Sequence, residues 1–157
     1  MNITIRRAAS GDIPGVIRLL EYICAFHQKA RPDIFKAGSK KYDEADIADI
    51  LADETRPIFV AADEGGHVAG YCFCKIINNN HAVFNKHISL YIDDLCVDER
   101  YRRRGIAKML YAAALEFAKQ TGVFAIDLNV WEFNEAAVKF YESLGFATRS
   151  RKMELIL

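Results

Sequence analysis

Apolar and polar positions follow two rhythms along this chain. Ile3-Thr4-Ile5-Arg6 alternates with period two, as a short half-buried strand does. Ser10-Gly11-Asp12 then supplies helix-start chemistry. Ile13, Val16, Ile17, Leu20, Ile23 and Cys24 follow at three- and four-residue spacing, one face of a helix. Pro32 interrupts that pattern, and the polar stretch through Lys41 reads as a loop. Ala45, Ile47, Ile50 and Leu51 predict a second short helix. Pro57–Ala62 is predicted as a strand, Asp63-Glu64-Gly65-Gly66 as a turn, and His67–Ile77 as the returning arm of a hairpin. A turn at Asn78–Asn80 leads to another strand over Ile88–Val97.

Helical spacing returns with Ile106, Met109, Leu110, Ala113 and Phe117, and Gly122 stops it. Phe124–Val130 reads as a buried strand. Asn134 caps a helix carrying Val138, Tyr141 and Leu144, which Gly145 closes in the left-handed conformation. Ala147–Ile156 is predicted as a final strand. No repeat, low-complexity tract or Pro/Gly-rich linker divides the sequence, so residues 1–157 read as one domain. The element order β-α-α-β-β-β-α-β-α-β predicts an α+β fold, a mixed central β-sheet with helices on both faces.

Composition changes this picture little. A chain of 157 residues buries about 70% of its unfolded surface, enough for a core without metal or disulfide staples. Its 21 Lys+Arg balance 21 Asp+Glu, which argues against a general nucleic-acid binder or a membrane-adsorbing protein while permitting a local basic patch. Cys24, Cys72, Cys74 and Cys96 are too scattered for a disulfide framework or a zinc site, and read as reduced core residues. Residues 1–7 lack a signal pattern and no apolar run approaches the ~20 residues that span a bilayer, so a cytoplasmic location is expected.

The segment Leu95–Ala107 carries the sharpest chemistry. A strand ends, a basic loop comes next, and a long helix opens at Gly105. A helix N-terminus offers unsatisfied N–H groups and partial positive charge, which suit a phosphate. Gly105 permits close backbone approach, Ala107 adds no bulk, and Arg102, Arg103 and Arg104 supply charge-assisted donors. The P-loop ending Gly-Lys-Ser/Thr is absent, and only one of the three dinucleotide-fingerprint glycines is present.

This turn resembles the Arg/Gln-x-x-Gly-x-Gly/Ala signature of the GCN5-related N-acetyltransferase (GNAT) family, in Arg102, Gly105 and Ala107. DLCVDERYRRRGIAKMLY is similar to that family's central strand and following helix, and LNVWEFNEAAVKFYESLGF to its next strand and helix. Arg103 stands where the family often has Gly, and Ala107 replaces the commoner Gly. The resemblance implies the acyl-CoA N-acyltransferase fold, acetyl-CoA as co-substrate without a metal, and an amine acceptor.

It also implies site residues. The coenzyme pyrophosphate would sit on residues 102–107, including Ile106. The backbone N–H groups of Leu95, Cys96 and Val97 would polarise the thioester carbonyl where two central strands splay apart. Tyr141 would protonate the leaving thiolate, and Asn134 would cap its helix and touch the pantetheine arm. Asp93 and Asp94 resemble the acidic pair of diamine acetyltransferases, as acceptor contact and water-mediated base. Strand alternation predicts that only one of them faces the cleft.

His27 and His87 are alternative bases. Asn129 stands where ribosomal-protein alanine N-acetyltransferases carry a glutamate base, which argues against that subfamily. Cys96 has no histidine in the motif to activate it, so direct transfer is expected over an acetyl-cysteine route. Trp131 and Phe133 either wall the acceptor site or pack in the core, and His27–Lys41 would form part of the acceptor side. The expected activity is acetyl transfer to a small-molecule amine or polyamine. Alternatives are a protein lysine or N-terminal acceptor, or a non-catalytic acyl-CoA sensor. A homodimer is suggested by family habit alone.

Overall fold

A computed structural model describes residues 2–157. Five strands form one sheet in the order β1-β2-β3-β4-β5. The strands are β1 (Thr4–Arg7), β2 (Ile58–Ala62), β3 (Val68–Asn79), β4 (His87–Val97) and β5 (Ala125–Leu128). The first four pair antiparallel and β5 joins β4 in parallel, so the sheet is mixed as expected. The helices are α1 (Ile13–Ala30), α2 (Glu44–Leu51), α3 (Ile106–Thr121) and α4 (Glu135–Ser143).

Period two sorts β2 onto two cores. Ile58 and Val60 pack with Val16, Leu19 and Leu20 of α1 and Ile47 and Ile50 of α2. Phe59 and Ala61 pack with Ile106, Leu110, Ala114 and Ala118 of α3, and Tyr141 of α4 borders the same cluster. Helices therefore cover both faces. α3 lies close because β3 offers it Gly70, where a Cβ would stand 2.9 Å from the Cys96 carbonyl and 3.2 Å from Leu110 Cδ1.

Several sequence expectations are corrected. The final strand over Ala147–Ile156 does not form. Phe146 donates from its N–H to the Tyr141 carbonyl (3.1 Å), but no backbone hydrogen bond ties residues 147–157 to the described chain. The segment Thr148–Lys152 is polar throughout, so it has no apolar face to hold it in register. Two side-chain pairs tether the tail, Arg149 to Asp127 at 3.7 Å and Glu154 to Arg31 at 2.5 Å. β5 is consequently an edge, shorter than expected and half-buried, with Phe124 79% exposed just before it. β3 runs through Asn79, absorbing most of the expected turn, and the Asn79 amide donates to Ser89 Oγ across the ladder at 3.0 Å.

Candidate active site

β4 ends at Val97, and Asp98 organises the turn beyond it. Its buried carboxylate accepts from the Arg100 N–H (3.0 Å), from the Arg100 guanidinium (2.7 and 3.1 Å) and from Arg18 Nη1 of α1 (2.6 Å). The Arg100 bonds, opposed by burial and aided by Arg18, hold this carboxyl well below the usual range. Arg100 is thus spent on the turn itself.

The next residues build a concave run of N–H groups. Arg103 has φ 58° and Gly105 φ 74°, and Arg103 is the single non-glycine residue with positive φ among those described. Left-handed Gly105 followed by right-handed Ile106 at the start of α3 turns neighbouring N–H groups to one side, the geometry of an anion-binding nest. The first intrahelical bond of α3 runs from the Met109 N–H to the Gly105 carbonyl at 3.0 Å. The N–H groups of Ile106, Ala107 and Lys108 therefore have no acceptor within the helix. All of this opens on a cleft of about 360 Å³, lined by Val97, Arg102, Arg103, Gly105, Ile106 and Ala107, with Phe140, Ser143 and Leu144 opposite. Arg102 donates to the Tyr22 hydroxyl (2.7 Å) and the Arg104 guanidinium lies over the Tyr101 ring (5.9 Å).

The splay between β4 and β5 is present. Their register runs only from Ser89↔Ala125 to Ile92↔Leu128, so residues 93–97 have no strand on that side. The Asp98 N–H donates to the Ala69 carbonyl beside them at 2.9 Å. N–H direction alternates along a strand, so Leu95 and Val97 point theirs into the opening and Cys96 points its own into the β3 ladder. Two of the three expected backbone donors face the opening, and Cys96 is corrected.

A bulge changes the acidic pair. Phe73 pairs with Asp94 while Cys74 pairs with Ile92, which leaves Asp93 as an extra residue. Leu90 and Ile92 lie on the α3 side before it, and Leu95 and Val97 on that same side after it. Both aspartates consequently face α1 and α2, against the expectation that only one would. Tyr42, stacked on Phe73 at 5.4 Å, donates to Asp93 Oδ2 at 2.5 Å. Lys41 Nζ and Lys75 Nζ reach Asp93 at 3.1 and 3.2 Å. Burial alone would raise the Asp93 carboxyl, but the Tyr42 hydroxyl and the two ammonium groups outweigh it and the net shift is downward. Among the described side chains, Asp94 accepts from the Tyr71 hydroxyl, at 3.0 Å. Burial pushes its carboxyl up to about 6, against the pull of Lys41 and Tyr71.

Across the sheet, burial first and then Cys72 and Asp94 raise the Tyr141 phenol, keeping it protonated. Its ring packs edge-on to Phe146 and Phe140. Asn134 caps α4, its Oδ1 accepting from the Ala137 N–H at 3.2 Å. Cys96 faces the opposite core, and burial pushes its thiol up to about 12, unsuited to nucleophilic attack.

Trp131 and Phe133 do not enter the core. With Phe26, His27 and Phe35 they form a ring cluster with centroids 5.0 to 6.2 Å apart, joining the end of α1, the loop after it and the β5–α4 connection. Burial lowers the pKa of His27, with Lys41 adding to it. His87 lies away from the aspartates and stacks edge-on with Phe124 at 5.3 Å. Sequence reasoning missed Tyr42, Lys41 and Lys75, because a loop and a neighbouring strand bring them to Asp93 without local spacing. It also missed Tyr22 and Phe140, whose helical spacing reads simply as packing.

No helix of the described residues is long and apolar enough to cross a membrane. The family model described as "Acetyltransferase (GNAT) family" matches residues 20–146. A putative phosphinothricin acetyltransferase, YwnH of Bacillus subtilis, is 32% identical over 96 residues, which are 60% of this chain and 55% of that protein. The chain thus spans about half the length of that relative. The thialysine N-epsilon-acetyltransferase of Sus scrofa is 24% identical over 152 residues, covering 92% of this chain and 84% of its own. A crystal structure of a mutant BH1408 protein from Bacillus halodurans superposes with TM-score 0.93 at 31% identity, covering 98% of this chain and 99% of that one.

Proposed function

Because the chain belongs to the acetyltransferase (GNAT) family, we propose that it transfers the acetyl group of acetyl-CoA to a primary amine by direct attack. One observation carries this reading. The strand that ends in the phosphate-sized nest is the same strand whose Leu95 and Val97 N–H groups lie open beside it. A pyrophosphate on Arg102–Ala107 and a thioester carbonyl on Leu95 and Val97 are held in one extended pose. Backbone donors aimed at developing oxyanion charge contribute ~3–4 kcal/mol in comparable sites.

The remaining roles come from the environments. Asp94, with its carboxyl near 6, is ionised at neutral pH and accepts the proton of the incoming ammonium, directly or through water. The neutral amine attacks the carbonyl carbon, the C–N bond forms and the C–S bond breaks, and the proton that the nitrogen sheds passes through water to restore the Tyr141 phenol. Tyr141 donates its proton to the departing sulfur; its hydroxyl has no hydrogen-bond partner among the described residues and so is not spent on packing. Asn134 keeps its amide N–H donors for the pantetheine arm while Oδ1 caps α4. Asp93, held by Tyr42, Lys41 and Lys75, positions the cleft wall and is not the base.

The acceptor belongs to the small-molecule amines, polyamines included; the names of the two relatives support the class. A protein lysine or N-terminal amine is the second reading, and a non-catalytic acyl-CoA sensor the third. A single domain over 1–157, a cytoplasmic location and a homodimer belong to the same proposal. Thiol release from acetyl-CoA across a panel of polyamines, amino acids, aminoglycosides and peptides tests it. Turnover with a small amine is expected. Tight coenzyme binding with no turnover on any acceptor selects the sensor reading.

A further inference from the structure

Resting on the reading that residues 102–107 take the coenzyme pyrophosphate, we infer that Asp63 is a positioning residue for coenzyme binding. From the turn between β2 and β3 it holds the phosphate loop in place through the hydroxyl of Tyr101.

Burial shows where that loop is fastened. Tyr101 and Ile106 are buried, and the four residues between them, Arg102 to Gly105, are exposed. Ile106 is held by apolar packing in the same cluster as Leu110 and Ala114. Tyr101 needs more than packing, because a buried phenol requires a partner for its O–H. It finds one in a remote part of the chain, donating to Asp63 Oδ2 at 2.8 Å. The Arg100 and Arg104 guanidinium groups lie over the Tyr101 ring, each 5.9 Å from its centroid. The same ring lines the cleft in front of α3. A displacement of Tyr101 would therefore carry Arg104 and the backbone leading into the nest with it.

The hairpin tip keeps Asp63 still. Its Oδ1 accepts from the Gly65 and His67 N–H groups, both at 2.9 Å, and stands 3.2 Å from His67 Nδ1. The Asp63 N–H donates to the His67 carbonyl at 3.0 Å, closing the turn. Oδ2 is the oxygen that reaches Tyr101. The His67 N–H and the Tyr101 hydroxyl, opposed by burial, pull this carboxyl down to about 2. The bond to Tyr101 is accordingly charge-assisted. One oxygen organises the turn, and the other transmits its fixed position to the loop. A backbone bond from the Asp98 N–H to the Ala69 carbonyl, at 2.9 Å, ties the start of the loop to the same hairpin. The Tyr101 tie acts further along, one residue before Arg102, and a side-chain substitution can cut it while the backbone ladder stays.

Two conservative variants separate positioning from folding. Asp63→Asn keeps an oxygen for the Gly65 and Tyr101-independent His67 N–H groups, but turns an amide donor toward the Tyr101 hydroxyl. Tyr101→Phe removes the hydroxyl and leaves the ring beneath its two guanidinium groups. Calorimetric titration of the full chain with CoA is expected to show ~3–10-fold weaker binding for each variant. The double variant should bind no more weakly than the weaker single one, because both cut the same bond. In Asp63→Asn, KM for acetyl-CoA should rise by a similar factor while kcat at saturating coenzyme changes less than about twofold. A lower urea midpoint with unchanged CoA affinity would mean a purely structural bond and overturns the inference. A double variant whose loss equals the product of the two single losses overturns it as well. A wild-type chain that does not bind CoA overturns the coenzyme reading itself, and the positioning role with it.

Discussion

Asp93 and Asp94 are consecutive residues whose carboxylates stand on the same face of the sheet, one bonded to Tyr42 and the other to Tyr71. The bulge that brings them together also divides them electrically. Asp93 is wrapped by two ammonium groups and its carboxyl falls, while Asp94 is left with burial and its carboxyl rises to about 6. Carboxyls shifted in opposite directions within one cleft are what acid–base chemistry uses.

The first prediction concerns rate against pH. With Asp94 as base, kcat/KM should fall below about pH 6, because the carboxyl must be ionised to accept a proton. Asp94→Asn should remove that acidic limb and most of the activity, measured by thiol release. Asp93→Asn should keep the limb in place. A limb that moves in Asp93→Asn and not in Asp94→Asn would exchange their roles.

The same carboxyl makes an opposite claim on stability. Its folded pKa is raised, so the folded chain holds a proton that the unfolded chain has lost between about pH 4 and 6. The stability that this carboxyl contributes is fullest below about pH 4, declines as pH rises to about 6, and is lost above it. Asp94→Asn should therefore unfold at higher denaturant at pH 7.5, by about 1–2 kcal/mol after allowance for the residue's partial exposure. Near pH 4 the difference should vanish. An inactive variant that is no more stable would show that burial does not cause the shift.

Tyr141→Phe should lower turnover at least ~10-fold through loss of the proton donor, with coenzyme affinity by calorimetry nearly unchanged. The phenyl ring keeps the contacts to Phe140 and Phe146, so thermal unfolding should move little. Unchanged turnover would remove Tyr141 as the acid.

Arg103 holds φ at 58°, a conformation that costs an L-residue roughly 1–2 kcal/mol. Arg103→Gly should relieve that strain, for a gain of up to ~1 kcal/mol against the entropy of a freer unfolded chain. Coenzyme should bind more weakly through the lost charge, and this loss should shrink as salt is raised. Lower stability in the glycine variant would mean that the side chain contributes packing that outweighs the backbone strain.

Much of the fold and the site is legible in the sequence, for identifiable reasons. Strong periods place α1, α3 and β2, and single residues with fixed conformational duties mark the ends at Asn134, Gly122 and Gly145. The phosphate turn is readable because helix termini are local. The bulge at Asp93 is not, because nothing in Ile92–Leu95 differs from a regular strand until β3 fixes the register. The missing final strand fails for the reverse reason. Its apolar residues are confined to Met153–Leu157 after a polar stretch over Thr148–Lys152, and forming a ladder takes a partner, which a pattern does not name.

The donors at Leu95 and Val97 are main-chain groups, and no codon specifies them. Exchanging their side chains reshapes the cleft and leaves the N–H groups where they are. What removes them is a change of count in the regular ladder. Losing Asp93 would only erase the bulge, because Ile92 and Asp94 already stand opposite the adjacent residues Cys74 and Phe73, and Leu95 and Val97 would keep their side. Losing Leu95 instead would put Cys96 in its place and turn the Val97 N–H into the β3 ladder. The site therefore tolerates many substitutions along this strand but no loss of a single residue beyond Asp94, so its fragility lies in the reading frame of the sheet.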